Sequence, residues 1–444
     1  MSKTKTFFVC QQCGAQFPKW LGRCSECGEW NSLVETPQAP MTLRTSRGGE
    51  QALAFEKPRR LSEIKSVARS RAKTKIKELD RVLGGGIVSG SAVLLAGEPG
   101  IGKSTLMLQL TAKVAANSSI QNSVLYVSGE ESAEQIKIRA QRLGIKGDNL
   151  LFLAETNADL ICTQISELNL QIAIIDSVQT IWTGELAGTA GSVGQVREST
   201  NRLLRIGKKR GIPIFLIGHV TKTGAIAGPK VLEHMVDTVV YFEGDRFGSV
   251  RLLRSTKNRF GPTDEIGIFE MTNQGLIEAS NPSRLFLSRK RGKVPGSAVV
   301  ATLEGTRPML VEIQALVVPT QLVVPRRIGQ GVDYQRLQLI TAVLTKKLNL
   351  PLAGFDIYVN VTGGLKVEEP AVDLGVALAI ISSFKNLALR EKTVCFGELG
   401  LLGEVRPVSQ MDKRKKEARR LGFTTIISPE KYSSIAQVFK QFFK

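Results

Sequence analysis

Residues 91–116 read SAVLLAGEPGIGKSTLMLQLTAKVAA: a short apolar run, a glycine-rich turn, then a stretch with helical apolar spacing. Within it Gly97, Glu98, Pro99, Gly100, Ile101, Gly102, Lys103, Ser104 and Thr105 satisfy G-x-x-x-x-G-K-[ST] between a strand signal and a helix signal. The glycines let backbone N–H groups curl around phosphates, and the helix N-terminus adds partial positive charge. Lys103 then reaches the terminal phosphates, and Ser104, with Thr105 behind it, is the expected magnesium ligand. The stretch predicts ATP and Mg2+ as cofactors.

Outward from this turn, SVLYVSG, LLFLA, QIAIIDS and IPIFLIG are strand-sized apolar runs separated by helical stretches. That alternation predicts an α/β fold with a mostly parallel sheet covered on both faces. The run IAII ends in Asp176, a carboxylate placed to bind magnesium or a magnesium-bound water. Glu130 follows VLYVSG and is a candidate for polarising the attacking water, with Glu131 beside it as the alternative. His219 ends the run IPIFLIGH and is a candidate γ-phosphate sensor, because ligands gather at strand ends in such sheets. Further along, from about Leu285, AVVATLEGTRPMLVEIQALVV reads as strands, and YQRLQLITAVLTKKL and AVDLGVALAIISSF read as helices. A second α/β domain is expected there.

The chain has 444 residues, enough for two or three domains, with 42% hydrophobic and 23% charged residues. These values exclude a stapled mini-protein and general disorder. Sixty Lys and Arg against forty Asp and Glu leave a net charge of +20, which favours a polyanionic partner such as nucleic acid. No run of membrane-spanning length and no leader pattern is found, so a soluble, cytoplasmic protein without membrane contact is expected. Four of the six cysteines, Cys10, Cys13, Cys24 and Cys27, form two CxxC pairs within the first 27 residues. This spacing suits a tetrahedral, structural zinc site, since four thiolates leave no open position for catalysis. Phe17, Trp20 and Trp30 are the large apolar residues available to this unit. Its folding energy must therefore come largely from Zn2+. Cys162 and Cys395 read as inert buried thiols. Residues 34–58 read as a linker, and Lys57 to Lys77 is a basic segment able to contact phosphates or simply to be solvated.

The order of motifs resembles the bacterial RadA (Sms) DNA repair family over essentially the whole chain. CQQCG and CSECG, ELDRVLGGGIVSGSAVLLAGEPGIGKST, IIDSVQT, GHVTK and KNRFG (Lys257 to Gly261) carry the resemblance. It implies a four-cysteine zinc unit (1–33), a linker (34–58), a RecA-like ATPase (59–280) and a Lon-protease-like domain (285–444). It also implies a hexameric ring acting on single-stranded and branched DNA with a recombinase partner, driving branch migration as a helicase-type motor. On this resemblance Lys103 and Ser104 bind nucleotide, Asp176 binds magnesium, and Glu130 activates water. Lys257 and Arg259 look like fingers reaching the γ-phosphate held by a neighbouring subunit, and also count as DNA-binding candidates. Lys222 and Lys230, in a glycine-rich segment, are candidates for gripping DNA, as is the segment Thr183 to Gln195. Arg197, Arg202, Arg205, Lys208, Lys209 and Arg210 read as the charged face of an amphipathic helix.

The carboxy-terminal resemblance to Lon-type proteases rests on VNVTGGLKVEEPAVDLGVALAI and FGELGLLGEVRPVSQMDKRKKEA. In register, Ala371 stands where the nucleophilic serine would be and Asp412 where the lysine would be. Neither can serve in a Ser–Lys dyad. An assembly platform is expected instead, with Lys413, Arg414, Lys415, Lys416, Arg419 and Arg420 clustered on one expected helix as a basic surface able to bind duplex DNA or simply to be solvated. Besides the motor, two readings stay open: an ATP-switched DNA-binding scaffold, and an ATP-dependent protease opposed by Ala371 and Asp412.

Overall fold

The computed structural model describes residues 6–10, 15–37, 71–116, 123–147, 149–219, 229–244, 248–287 and 294–443. The chain divides into two compact units, residues 1–242 with 256–261, and residues 243–255 with 262–444. Among the described residues no helix is long and apolar enough to cross a membrane.

The N-terminal unit opens with a small antiparallel sheet of β1 (Thr6–Cys10), β2 (Gln16–Phe17) and β3 (Leu33–Pro37), β1 at its centre. β3 carries the zinc unit a few residues past the expected boundary at 33. Helix α1 (Lys77–Val82) precedes β4 (Ala92–Gly97), α2 (Lys103–Ala115), β5 (Ser123–Ser128) and α3 (Ala133–Arg142). Then come β6 (Leu150–Ala154), α4 (Ala158–Glu167), β7 (Leu170–Asp176), α5 (Val193–Arg210), β8 (Ile214–His219), α6 (Pro229–Glu233) and β9 (Thr238–Glu243). The strands lie in the order β9-β4-β8-β7-β5-β6, every pairing parallel. All five strand-sized runs marked in the sequence are strands of this sheet. β4 is buried throughout and β7 and β8 nearly so, as sheets covered on both faces require. Local signals set the helix starts: Ser132 and Gln135 form a capping box on α3, and Asn157 caps α4.

The C-terminal unit contains β10 (Val250–Asn258), β11 (Ile266–Thr272) and β12 (Gly275–Glu278), an antiparallel meander whose first strand ends in residues of the N-terminal unit. By contacts this meander belongs mainly with the C-terminal unit, although its sequence lies before position 280. A six-stranded sheet follows, built from β13 (Ser297–Glu304), β14 (Arg307–Pro319), β15 (Arg327–Gln330), β16 (Phe355–Val361), β17 (Thr393–Cys395) and β20 (Thr425–Ile427). Helices α7 (Tyr334–Leu348), α8 (Asp373–Lys385) and α10 (Ile435–Phe442) join its main core, and β18 (Glu398–Leu399) with β19 (Val405–Arg406) forms a separate hairpin. Helix α9 (Met411–Arg420) joins a second cluster through Ala418, with Leu310, Phe396 and Phe423.

α9 corrects one expectation. Arg414 is fully buried, its guanidinium pairing with the Glu369 carboxylate and donating to Ala301 O (2.8 Å) and Ser409 O (2.9 Å). Lys415 pairs with Asp412 and Glu430, and Arg420 with Glu417. Three of the six basic residues are thus committed within the unit. Arg414 shares a face with Ala418 one turn on, and that apolar face turns inward. The dyad positions stay chemically empty: Ala371 is buried and Asp412 projects into solvent.

Candidate active site

The parallel register brings the candidate residues to one edge of the sheet. Gly97 lies beside His219, and Ser128 beside Asp176, all at the carboxyl ends of adjacent strands. Gly102 sits at φ +113°, which suits glycine and lets the loop turn into α2 with its N–H groups inward. A cavity of about 380 Å³ opens there, lined by the loop together with Ser128, Glu130, Glu131, Asp176 and His219.

Lys103 is almost completely buried, donating from Nζ to Gly97 O and Glu98 O (both 2.9 Å) and lying 3.1 Å from His219 Nδ1. An ammonium group offers no acceptor, so Nδ1 accepts and the ring proton sits on Nε2, facing Glu130 Oε1 at 3.6 Å. Burial lowers the Lys103 pKa to about 8, partly opposed by the charges of Asp176 and Glu130. The sign of the resulting linkage is fixed: nucleotide phosphates favour the ammonium form and raise this pKa, so binding near pH 8.5 takes up protons. We expect uptake of roughly three quarters of a proton per nucleotide at pH 8.5, falling toward zero by pH 7. Calorimetry in buffers of different ionisation enthalpy measures it, and a buffer-independent enthalpy at pH 8.5 would count against a phosphate contact at Lys103.

Glu130 accepts a short hydrogen bond from the Ser177 hydroxyl. Its pKa falls to about 2, first because His219 donates to it, against burial, with Ser177 and the Lys103 charge assisting. Glu131 behaves differently: Arg139 clamps it through two 2.6 Å bonds, and its backbone N–H donates to Ser128 Oγ. The two neighbouring acids are therefore separated, Glu130 joining the Lys103–His219 group and Glu131 anchoring α3. Asp176 accepts from the Tyr126 hydroxyl at 2.6 Å. Burial raises its pKa, against hydrogen bonds from Tyr126 and Ser104. Ser104 hydroxyl beside Asp176 carboxylate is a hard-oxygen donor set that fits Mg2+.

Several contributors escaped the sequence reading. The Gln179 side chain donates to His219 O (2.8 Å) and accepts from His219 N–H (3.2 Å), fixing the tip of β8 to the segment after β7. Arg139 and Arg142 of α3 also line the cavity. IIDSVQT did contain Ser177 and Gln179, but their partners lie about 40 residues or more away.

Lys257 and Arg259 do not line this cavity. Lys257 Nζ donates to Glu233 O (2.6 Å), while half-exposed Arg259 pairs with Asp237 Oδ1 at 3.1 Å. Asp237 also accepts from Ala92 N–H (3.0 Å) at the start of β4. Arg71 donates to Phe260 O, and Lys73 to Gly85 O (2.7 Å), so part of the basic segment ending at Lys77 serves packing. Lys230 is exposed, whereas Lys222 lies outside the described residues. The Thr183–Gln195 segment is fastened at its base, where Gln195 bonds both the N–H and C=O of Thr183. Arg202 on α5 is held by Asp159, Glu185 and Glu198.

In the zinc unit the sulfurs of Cys10, Cys24 and Cys27 lie within 4.8 Å of one another, and Cys13 lies outside the described residues. The converging soft thiol donors fit a structural Zn2+ ion. Trp20 and Trp30 are exposed, so the core is smaller than their presence suggests, consisting of Cys10, Cys24 and Leu33 with Phe8, Ala15, Phe17 and Leu21. Burial raises the pKa of Cys395 to about 12 and of Cys162 to about 11, keeping both as thiols.

Three family models match the chain: one described as a rubredoxin metal binding domain over residues 8–35, an AAA domain over 57–225, and subunit ChlI of Mg-chelatase over 331–432. The chain is 50% identical over 431 residues to the "DNA repair protein RadA" of Halalkalibacterium halodurans, covering 97% of this chain and 94% of that protein. The protein of that name from Bacillus subtilis is 49% identical over 431 residues, covering 97% and 93%. A solved RadB recombinase structure aligns at 19% identity and a TM-score of 0.37, over 47% of this chain and 99% of that one.

Proposed function

The chain belongs to the RadA family of DNA repair proteins, and from that premise we propose that it works as a ring-shaped, DNA-dependent ATP motor on single-stranded DNA, promoting branch migration of recombination intermediates. It is a DNA repair ATPase with a RecA-like core and a structural zinc ribbon. One observation carries the finer reading: Lys103, Asp176, Glu130 and His219 converge on the nucleotide cavity, while Lys257 and Arg259 stand outside it. Cations needed at the γ-phosphate would then come from the next subunit of a hexamer.

In this mechanism the glycine loop would hold the phosphates, Lys103 would leave its backbone acceptors for them, and Ser104 and Asp176 are the residues that would hold magnesium, which when bound would supply charge neutralisation on the transferring phosphoryl group. Glu130 orients the attacking water. Its low pKa in the free protein depends on His219 and Lys103, so drawing those groups toward phosphate makes Glu130 a stronger base. The Gln179 clamp ties His219 to the segment after β7, and the sequence continues from His219 into the stretch Val220 to Lys230, in which Lys222 and Lys230 are candidates for holding the DNA backbone. A recombinase is the expected protein partner.

The test is ATP hydrolysis with and without single-stranded DNA, followed by fork unwinding. Strong stimulation and unwinding are expected, and Glu130→Gln lowers hydrolysis roughly 10²- to 10⁴-fold while nucleotide binding persists. DNA-independent hydrolysis without unwinding would favour the ATP-switched scaffold. Proteolysis is not expected, because Ala371 has no hydroxyl and Asp412 no amine.

A further inference from the structure

Tyr126 is a phenol set wholly inside the sheet, on β5 where that strand runs beside β7. On one face of the two strands Leu125, Val127, Ala173 and Ile175 join an apolar core. Strand alternation therefore puts Tyr126 on the other face, together with Ile174 and Asp176. The register pairs Tyr126 with Ile174, so Asp176 stands one side-chain step further toward the nucleotide cavity. The ring spans that step, and its hydroxyl donates to Asp176 Oδ2 at 2.6 Å. Phenylalanine would fill nearly the same space. What tyrosine adds is a hydroxyl, and the hydroxyl is spent on the carboxylate.

Asp176 is only 7% exposed, and a carboxylate set so deep needs fixed donors around it. Two side chains supply them: the Tyr126 phenol, which does not line the cavity, and the Ser104 hydroxyl, which does. A bound cation treats them differently. Ser104 fits as a ligand in its own right, so an ion would compete with its bond to Asp176, whereas the phenol keeps its bond and goes on holding the carboxylate. The base of the phenol is firm as well. β5 has β6 on one side and β7 on the other, and just beyond Tyr126 the Ser128 hydroxyl oxygen accepts Glu131 N–H (2.9 Å) while Arg139 clamps Glu131. Magnesium demands near-ideal octahedral geometry, whereas calcium accepts a larger and more flexible shell of oxygens. A carboxylate held rigidly favours the ion with the stricter demand.

We propose that Tyr126 is a positioning residue for metal selection: its hydroxyl fixes Asp176 in an orientation that suits Mg2+ and disfavours larger cations such as Ca2+. Tyr126 acts through Asp176 and not on the nucleotide. Hydrogen-bond partners of metal-binding carboxylates set affinity by roughly 10- to 100-fold, so the effect should be large enough to measure. The inference rests on the reading of Ser104 and Asp176 as the magnesium ligands.

The experiment uses the full chain and a fluorescently labelled, non-hydrolysable ATP analogue, titrated in EDTA, in Mg2+ and in Ca2+. Tyr126→Phe is expected to leave binding in EDTA unchanged and to shrink the Mg2+-dependent gain in affinity roughly 10-fold or more, with Ca2+-supported binding changed less than about threefold. In an Asp176→Asn background the same substitution should have no further effect, since the two groups act as one unit. Thermal unfolding without nucleotide checks that the packed ring still supports the core. Equal losses in all three media, or a full further loss in the Asp176→Asn background, would make the phenol a prop for the strand and overturn the proposal. So would a Mg2+ gain that Tyr126→Phe leaves intact. A native chain whose affinity ignores Mg2+ would instead overturn the magnesium reading, and this inference with it.

Discussion

Replacing Arg259 with alanine is expected to leave ATP affinity nearly unchanged and to lower DNA-stimulated hydrolysis roughly 10³-fold or more, about 4 kcal/mol of transition-state stabilisation. The expectation follows from position: Arg259 lies outside the cavity of its own nucleotide loop, so its loss should spare binding there. Lys103→Ala should abolish activity by removing the phosphate contact itself. Mixing the two inactive variants gives the decisive result. A site formed by Lys103 of one subunit and Arg259 of the next is intact at about a quarter of the junctions in a random equimolar ring, so activity returns on mixing. Mixtures as inactive as their components would place Arg259 outside the neighbour's site.

Cys24→Ser is expected to unfold the zinc unit while leaving the ATPase core folded. Cys24 is buried in a core of only a few residues, and Trp20 and Trp30 lie outside it. Metal binding must therefore supply most of the stability, of order 10 kcal/mol in comparable zinc peptides. Elemental analysis should show zinc falling from one per chain to none, and limited proteolysis should open cleavage within residues 15–37. The main thermal transition should move little. A Cys24→Ser chain that stays zinc-loaded and resistant to cleavage would show that the other thiols suffice.

What could be read in advance was whatever chemistry is local. The nucleotide loop, its flanking strand and helix, and the apolar strands lie within short windows where periodicity and glycine placement are informative. Asp176 was legible because a strand end is a sequence feature. The difference between Glu130 and Glu131 was not, since Arg139 takes Glu131 from about two turns into α3 and Ser177 takes Glu130 from 47 positions away. The Gln179–His219 clamp likewise joins residues 40 positions apart. Arg414 shows a subtler failure: its charge suggested a surface, but its spacing from Ala418 placed it on the inward face. Charge counted along a helix must be divided by face before it is assigned to a partner.

Asp237 has a mechanical role as well as an electrostatic one. One of its oxygens receives the backbone of Ala92, where the nucleotide-loop strand begins, and the other receives Arg259. Nearby, Gly261 lies so close to Gly84 that a Cβ added at either would stand about 3 Å from the other's Cα. The loop bearing Arg259 is thus fastened to the strand that carries its own subunit's phosphate loop. In a ring, a small displacement of that strand during one hydrolysis event would shift the arginine offered to the adjoining site. Successive sites would then fire with a fixed phase, and a looser fastening at Asp237 would let them fall out of step without emptying any of them.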